Sequence, residues 1–166
     1  LPTGLLHGRG HPVTGDLYVC GLFGWSSDRT RPGGFYRIRP RAERWAETLN
    51  VPPRMSATTE GLELTFLAPL DASTTGDSER WTVTAWNSRR TSDYGSPTFD
   101  LAGRRDARST LTVEDVELSS DGRTVLLRMP EFQPCMQLHV AWKLKDAAGQ
   151  PLEHAAHLTV HELVQR

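Results

Sequence analysis

Alternation with a period of two dominates this chain. Leu62, Leu64 and Phe66 are separated by Glu63 and Thr65, and Trp81, Val83 and Ala85 by Thr82 and Thr84. Val125, Leu127 and Met129 follow, then Leu138, Val140, Trp142 and Leu144, and finally Ala156, Leu158 and Val160. Successive side chains point to opposite faces of a strand, so each run predicts a strand with one buried face. Leu111 and Val113 give way to Val116 and Leu118, a one-residue slip of phase that a β-bulge would produce. No long helical period competes; only 41–49 and Pro69–Gly76 have the pattern for a turn or two of helix. Ser119-Ser120-Asp121-Gly122-Arg123 joins two runs through Asp-Gly, a strong hairpin signal, and Asp146-Ala147-Ala148-Gly149-Gln150-Pro151 joins the next pair. Strands at short spacing with such turns point to an antiparallel sandwich or barrel.

Composition narrows the class. A chain of 166 residues is about one domain and hides roughly two-thirds of its unfolded surface. With 37% hydrophobic and 23% charged residues, it has the make-up of a soluble globular protein. No apolar run approaches the ~20 residues of a membrane helix. Nineteen Lys+Arg against twenty Asp+Glu give no basic excess, which argues against a general nucleic-acid binder. The two cysteines, Cys20 and Cys135, are too few for a disulfide framework. They form either one bridge or, the favoured alternative, two reduced thiols that pack as small hydrophobes. Neither lies in Cys-x-x-Cys-His, so no c-type haem attaches here. The chain starts at Leu1, and its first residues lack the basic start and apolar core of a signal peptide. A piece of a longer protein, or a processed form, is therefore expected.

The pattern changes near 40–53. Before it, Gly15 to Trp25 and Gly33 to Arg39 read as two short strands around a Gly-rich loop, at most half a sheet. After Val51-Pro52-Pro53 the sandwich pattern begins. The division is 1–40 as this partial sheet, 41–52 as a linker and 53–166 as the sandwich. His7-Gly8-Arg9-Gly10-His11 lacks the Gly-x-Gly-x-x-Gly pattern of a phosphate loop and reads as an ordinary loop.

Two stretches carry a resemblance. Asp16-Leu17-Tyr18-Val19 and Gly34-Phe35-Tyr36-Arg37 resemble strands of the last blade of a β-propeller in large secreted bacterial proteins related to sorbosone or glucose dehydrogenases. The segment 52–166 is similar to the Ig-like module that follows such propellers, through Leu64-Thr65-Phe66, Leu118 to Val125, Leu144 to Leu152 and above all Trp86 to Ser96. The resemblance implies an all-β chain, with an Ig-like antiparallel sandwich preceded by a short propeller-blade-like hairpin. It implies an extracytoplasmic location, whether periplasmic, cell-surface or secreted. It also implies partners in upstream propeller or haem domains of the same chain. Any haem would lie elsewhere in the parent chain, with no cofactor in this segment.

Several residues are site candidates. Trp81 and Trp142 lie in phase with core positions, whereas Trp86 is out of phase and faces outward near Arg89, Arg90 and Tyr94. That group is a candidate for ligand stacking or interdomain contact; its structural alternative is arginine stems closing the core edge over Trp86. His154, His157 and His161 invite a metal, but His157 and His161 would be about 13 Å apart along one strand face. With a turn centred near Gly149, His139 falls opposite His161, and that pair is the metal candidate. Calcium between the loops of Asp71 and Asp77 is a further alternative. Glu114, Asp115 and Glu117 read as a solvated face. No Gly-x-Ser-x-Gly occurs, and Gly24-Trp25-Ser26-Ser27-Asp28 lacks the second glycine. The expectation is a non-catalytic accessory or interaction module. The alternatives are a carbohydrate-binding module using exposed aromatics, and a segment of a dehydrogenase-like or electron-transfer enzyme whose catalytic residues lie upstream.

Overall fold

The computed structural model describes residues 1–23, 30–39, 52–92 and 94–165. The helical turn expected at 41–49, all but Pro52 of the linker at 41–52, Trp25, Trp45 and the 24–28 segment lie outside the described residues. The chain divides into two compact units, Leu1–Leu49 and Asn50–Arg166.

The first unit is a three-stranded antiparallel sheet in the order β1-β2-β3, made of His7–Gly10, Leu17–Leu22 and Gly33–Ile38. The first of these is a correction, because His7–Gly10 is a strand and not a loop. It pairs with β2 from His7 opposite Cys20 to Gly10 opposite Leu17. The N-terminal segment then crosses one face of the sheet, and Gly21 makes room for it: a Cβ there would lie 1.6 Å from the carbonyl oxygen of Gly4. Asp16, buried just before β2, accepts from Arg39 Nε at 3.2 Å and anchors the end of β3.

The second unit is an antiparallel β-sandwich. One sheet runs β4-β5-β10-β9, from Arg54–Thr58, Gly61–Thr65, Thr124–Arg128 and Asp115–Leu118. The other runs β12-β11-β6 with β7 and β8 on the far side of β6. Its strands are Pro151–Val160, Cys135–Lys145, Trp81–Ser88, Thr98–Phe99 and Ser109–Leu111. The period-two runs face inward as the alternation requires: Leu62, Leu64, Val125 and Leu127 from one sheet meet Val83, Ala85, Leu138, Val140 and Trp142 from the other. Phe66 meets the Trp142 ring edge-on at 5.7 Å, and Trp81 lies 6.2 Å from it.

The phase slip after Leu111 is not a bulge. Leu111 ends β8 in one sheet and Val116 lies in β9 of the other. The chain crosses between sheets there, and both residues still reach the core from opposite sides. A true register shift sits between Cys135 and Leu138 on β11.

The turns follow local chemistry. Asp121 takes the Arg123 N–H at 3.0 Å, and Gly122 supplies the positive φ of 71° between β9 and β10. Asp146 accepts from the N–H groups of Ala148 and Gln150 between β11 and β12. Gly61, at φ 145°, opens β5 where a Cβ would sit 1.9 Å from the Leu127 carbonyl oxygen. Within Pro69–Gly76 a short helix, α1 (Ala72–Thr75), forms as expected, with Asp71 capping it by accepting from Ser73 N–H at 2.8 Å. The Trp81 indole donates to the Thr75 carbonyl at 3.0 Å, which ties the helix to β6.

Trp142, 1% exposed, touches both sheets. Trp142→Ala is expected to destabilise the sandwich by about 3–5 kcal/mol, read as a lower urea midpoint. Tyr94→Ala, at a fully exposed side chain, is expected to leave the midpoint unchanged.

Candidate functional site

The inward phase of Ala85, Leu138 and Leu158 puts Trp86, His139 and His157 on the outward face of the second sheet. The turn of β11 and β12 is centred on Ala148, with Lys145 opposite Pro151, so His139 pairs with His157. This corrects the expected His139–His161 pair. The Asp146 turn centres on Ala148; a His139–His161 pair would need a centre on Gln150, and even a centre on Gly149 sets His139 against Thr159. His161 lies beyond β12. Among the described residues no group of three or more His, Cys, Asp or Glu side chains comes together to hold a metal ion.

The His139 and His157 rings stand 4.6 Å apart, tilted by 41°. The Trp86 ring meets His157 edge-on at 6.4 Å. Trp86 is 8% exposed because the Arg108 guanidinium lies over its ring, 4.1 Å from the centroid. The residues expected beside Trp86 sit differently. Arg89 lies over Phe99 at 4.8 Å, Arg90 is exposed, and Tyr94 stands wholly in solvent. An arginine does close over Trp86, but it comes from the segment before β8, where the sequence offers no periodic signal. A shallow concavity of about 400 Å³ lies at the other end of the same face, between Arg80, Lys143, Glu153 and His154.

The other candidates are structural. Asp71 caps α1, and Asp77 accepts from Glu79 N–H and pairs with Arg80 at 3.1 Å. Asp115 and Glu117 both face Arg128, at 3.7 and 2.8 Å. Cys20 and Cys135 are free thiols, the first exposed and the second buried; burial pushes the Cys135 thiol above its ordinary value.

The first unit carries a different kind of surface. Val19 is its single buried hydrophobic residue among those described. Leu5, Leu6, Leu17, Leu22, Phe23 and Phe35 are all exposed. Phe35 stacks on Tyr18 at 5.9 Å across β2 and β3, yet stays 71% exposed.

Comparison of the chain with known protein families, curated proteins and solved structures finds no match in any of the three.

Burial first, then the positive potential of His157 and Arg108, holds the His139 imidazole below its ordinary value. The unfolded chain therefore binds more protons near pH 6 than the native one. Stability from this group is fully present above ~6.5 and is lost as pH falls through the lower native value. The carboxylates held low by hydrogen bonds titrate further down. They are Asp16 through Arg39, Asp71 through Ser73, Asp100 through the Arg104 N–H and Asp121 through Ser119. His139→Gln is expected to flatten the stability profile between about pH 7 and 5 and to spare the fall below about pH 4. Urea titrations across that range check this; an unchanged slope between pH 7 and 5 would contradict it.

Proposed function

We propose that this chain is a non-catalytic accessory and interaction module of a larger secreted bacterial protein whose redox or haem chemistry lies elsewhere. The second unit is a self-sufficient sandwich. The first is a partial blade whose apolar faces belong against the propeller strands that precede it. The resemblance of Asp16–Val19 and Gly34–Arg37 to propeller strands supplies the partner, and extracytoplasmic placement follows from the same resemblance.

One observation supports the reading most. A three-stranded sheet whose one buried apolar residue, among those described, is Val19, and which leaves Leu17, Leu22 and Phe35 in water, has little buried apolar area of its own. Exposed apolar surface of this kind marks a contact surface. The sandwich, in contrast, buries nineteen hydrophobic residues in one cluster.

Hydrogen exchange on the whole chain tests the reading. The amides of β1–β3 are expected to exchange orders of magnitude faster than those of β5, β10 and β11. A dye specific for exposed apolar surface is expected to bind, and Leu22→Lys with Phe35→Lys to reduce that binding without moving the sandwich melting transition. Strong protection of β1–β3 together with no dye binding would remove the proposal.

A further inference from the structure

The two outward faces of the sandwich treat their arginines differently. On the first sheet Arg128 is met by three carboxylates, Glu60, Asp115 and Glu117. On the second sheet no carboxylate among the described residues pairs with Arg108. Its one described contact is with the Trp86 ring. A guanidinium stacked through its face keeps its in-plane N–H donors free. Beside that stack, two imidazoles are brought together by strand pairing, with rings 4.6 Å apart.

Asp106, the carboxylate two residues before Arg108, is exposed and lies 3.5 Å from Arg105; the strands beside the histidines carry none next to them. Opposite His139 on β6 is Thr84, and beyond it on β8 is Thr110. Along β11 the same-face neighbours are Gln137 and Ala141; along β12 they are Ala155 and Thr159. The nearest carboxylate on this face of β12 is Glu153, opposite Lys143. It stands four residues from His157, about 13 Å along the strand. Arg108, His139 and His157 thus form a group that gains positive charge on acidification and meets no carboxylate among the described residues.

We propose that Arg108, His139 and His157 form a binding site for a sulfate- or phosphate-type oxyanion, next to the Trp86 ring. Arg108 supplies the permanent charge and a planar pair of donors, and the histidines supply ring N–H donors whose charge depends on pH. A dication is disfavoured by the same arginine. The anion site is independent of the apolar sheet of the first unit, so either proposal stands if the other fails.

Linkage fixes the sign. An anion that binds better to protonated His139 and His157 must raise their proton affinity, and lowering pH must tighten its binding. Sulfate is the cleaner probe because it stays fully ionised across this range. The experiment follows the histidine ring protons of the whole chain by NMR, in sodium sulfate and in sodium chloride of equal ionic strength. The expected result is a higher titration midpoint for His139 and His157 in sulfate, and sulfate binding about tenfold tighter at pH 5.5 than at 7.5. Arg108→Gln, at an exposed position, is expected to weaken binding at both pH values while the sandwich still folds cooperatively, its urea midpoint lowered only by loss of the stack on Trp86. His157→Gln is expected to remove most of the pH dependence. A sulfated oligosaccharide titrated in parallel separates the sources. Tighter binding per sulfate group than the free ion assigns a sulfate ester as the ligand, and equal binding assigns the free oxyanion. Equal histidine midpoints in the two salts, or sulfate binding indifferent to Arg108→Gln, would overturn the site.

Discussion

Trp142 sits where the two sheets of the sandwich meet, edge-on to Phe66 from one sheet and beside Trp81 from its own. Almost everything described above depends on that contact, because side chains in a strand can only alternate. With Trp142, Val140 and Leu138 facing inward, His139 has to face outward. The pairing of β11 with β6 and β12 then carries the same phase sideways, so Trp86 and His157 face outward too. The polar-aromatic face is the complement of the core, set by the same three strands.

Outward-facing apolar groups on this sandwich are covered by neighbouring polar side chains. Leu126 points away from the core cluster yet is 1% exposed. It lies between Glu63 and Glu117 in register, on the same face as Arg128. Trp86 is covered by Arg108. Long arginine stems do this well because they shield apolar surface and keep the charge in water. The difference is in the neutralising carboxylates. Those around Arg128 make a closed ion cluster, while no carboxylate among the described residues pairs with Arg108 or the histidines. In the first unit Tyr18 lies between Arg9 and Arg37 in register, while Leu22 and Phe35 stay exposed.

Legibility followed the range of the interactions. Strands β5, β6, β10, β11 and β12 were readable because burial of one face imposes a period on consecutive residues. The Asp121-Gly122 and Asp146–Gly149 turns were readable because a side-chain acceptor and a positive φ are local needs. The slip between Val113 and Val116 was visible, but its meaning was not. A bulge and a crossing between sheets leave the same pattern, and the partner strand decides which occurs. Strand β1 was missed because a short Gly- and Arg-containing segment with every residue exposed carries no burial signal at all. Arg108 over Trp86 was missed for a related reason: a loop arginine twenty-two positions from the ring has no spacing that betrays the contact.

The alternation of apolar residues and the turn residues determine by themselves an all-β antiparallel chain, sandwich or barrel, with Trp81 and Trp142 inside and Trp86 out of phase. These are properties of neighbouring residues along one strand, and solvent exclusion acts on them wherever the strand is placed. The tertiary structure alone decided that His157 and not His161 faces His139, that Arg108 and not Arg89 covers Trp86, and that Arg128 is matched by acids while Arg108 is not. Each of these turns on register between strands or on a loop's path across a sheet. A shift of two residues in one hairpin changes which side chains meet without changing the pattern that each strand shows on its own.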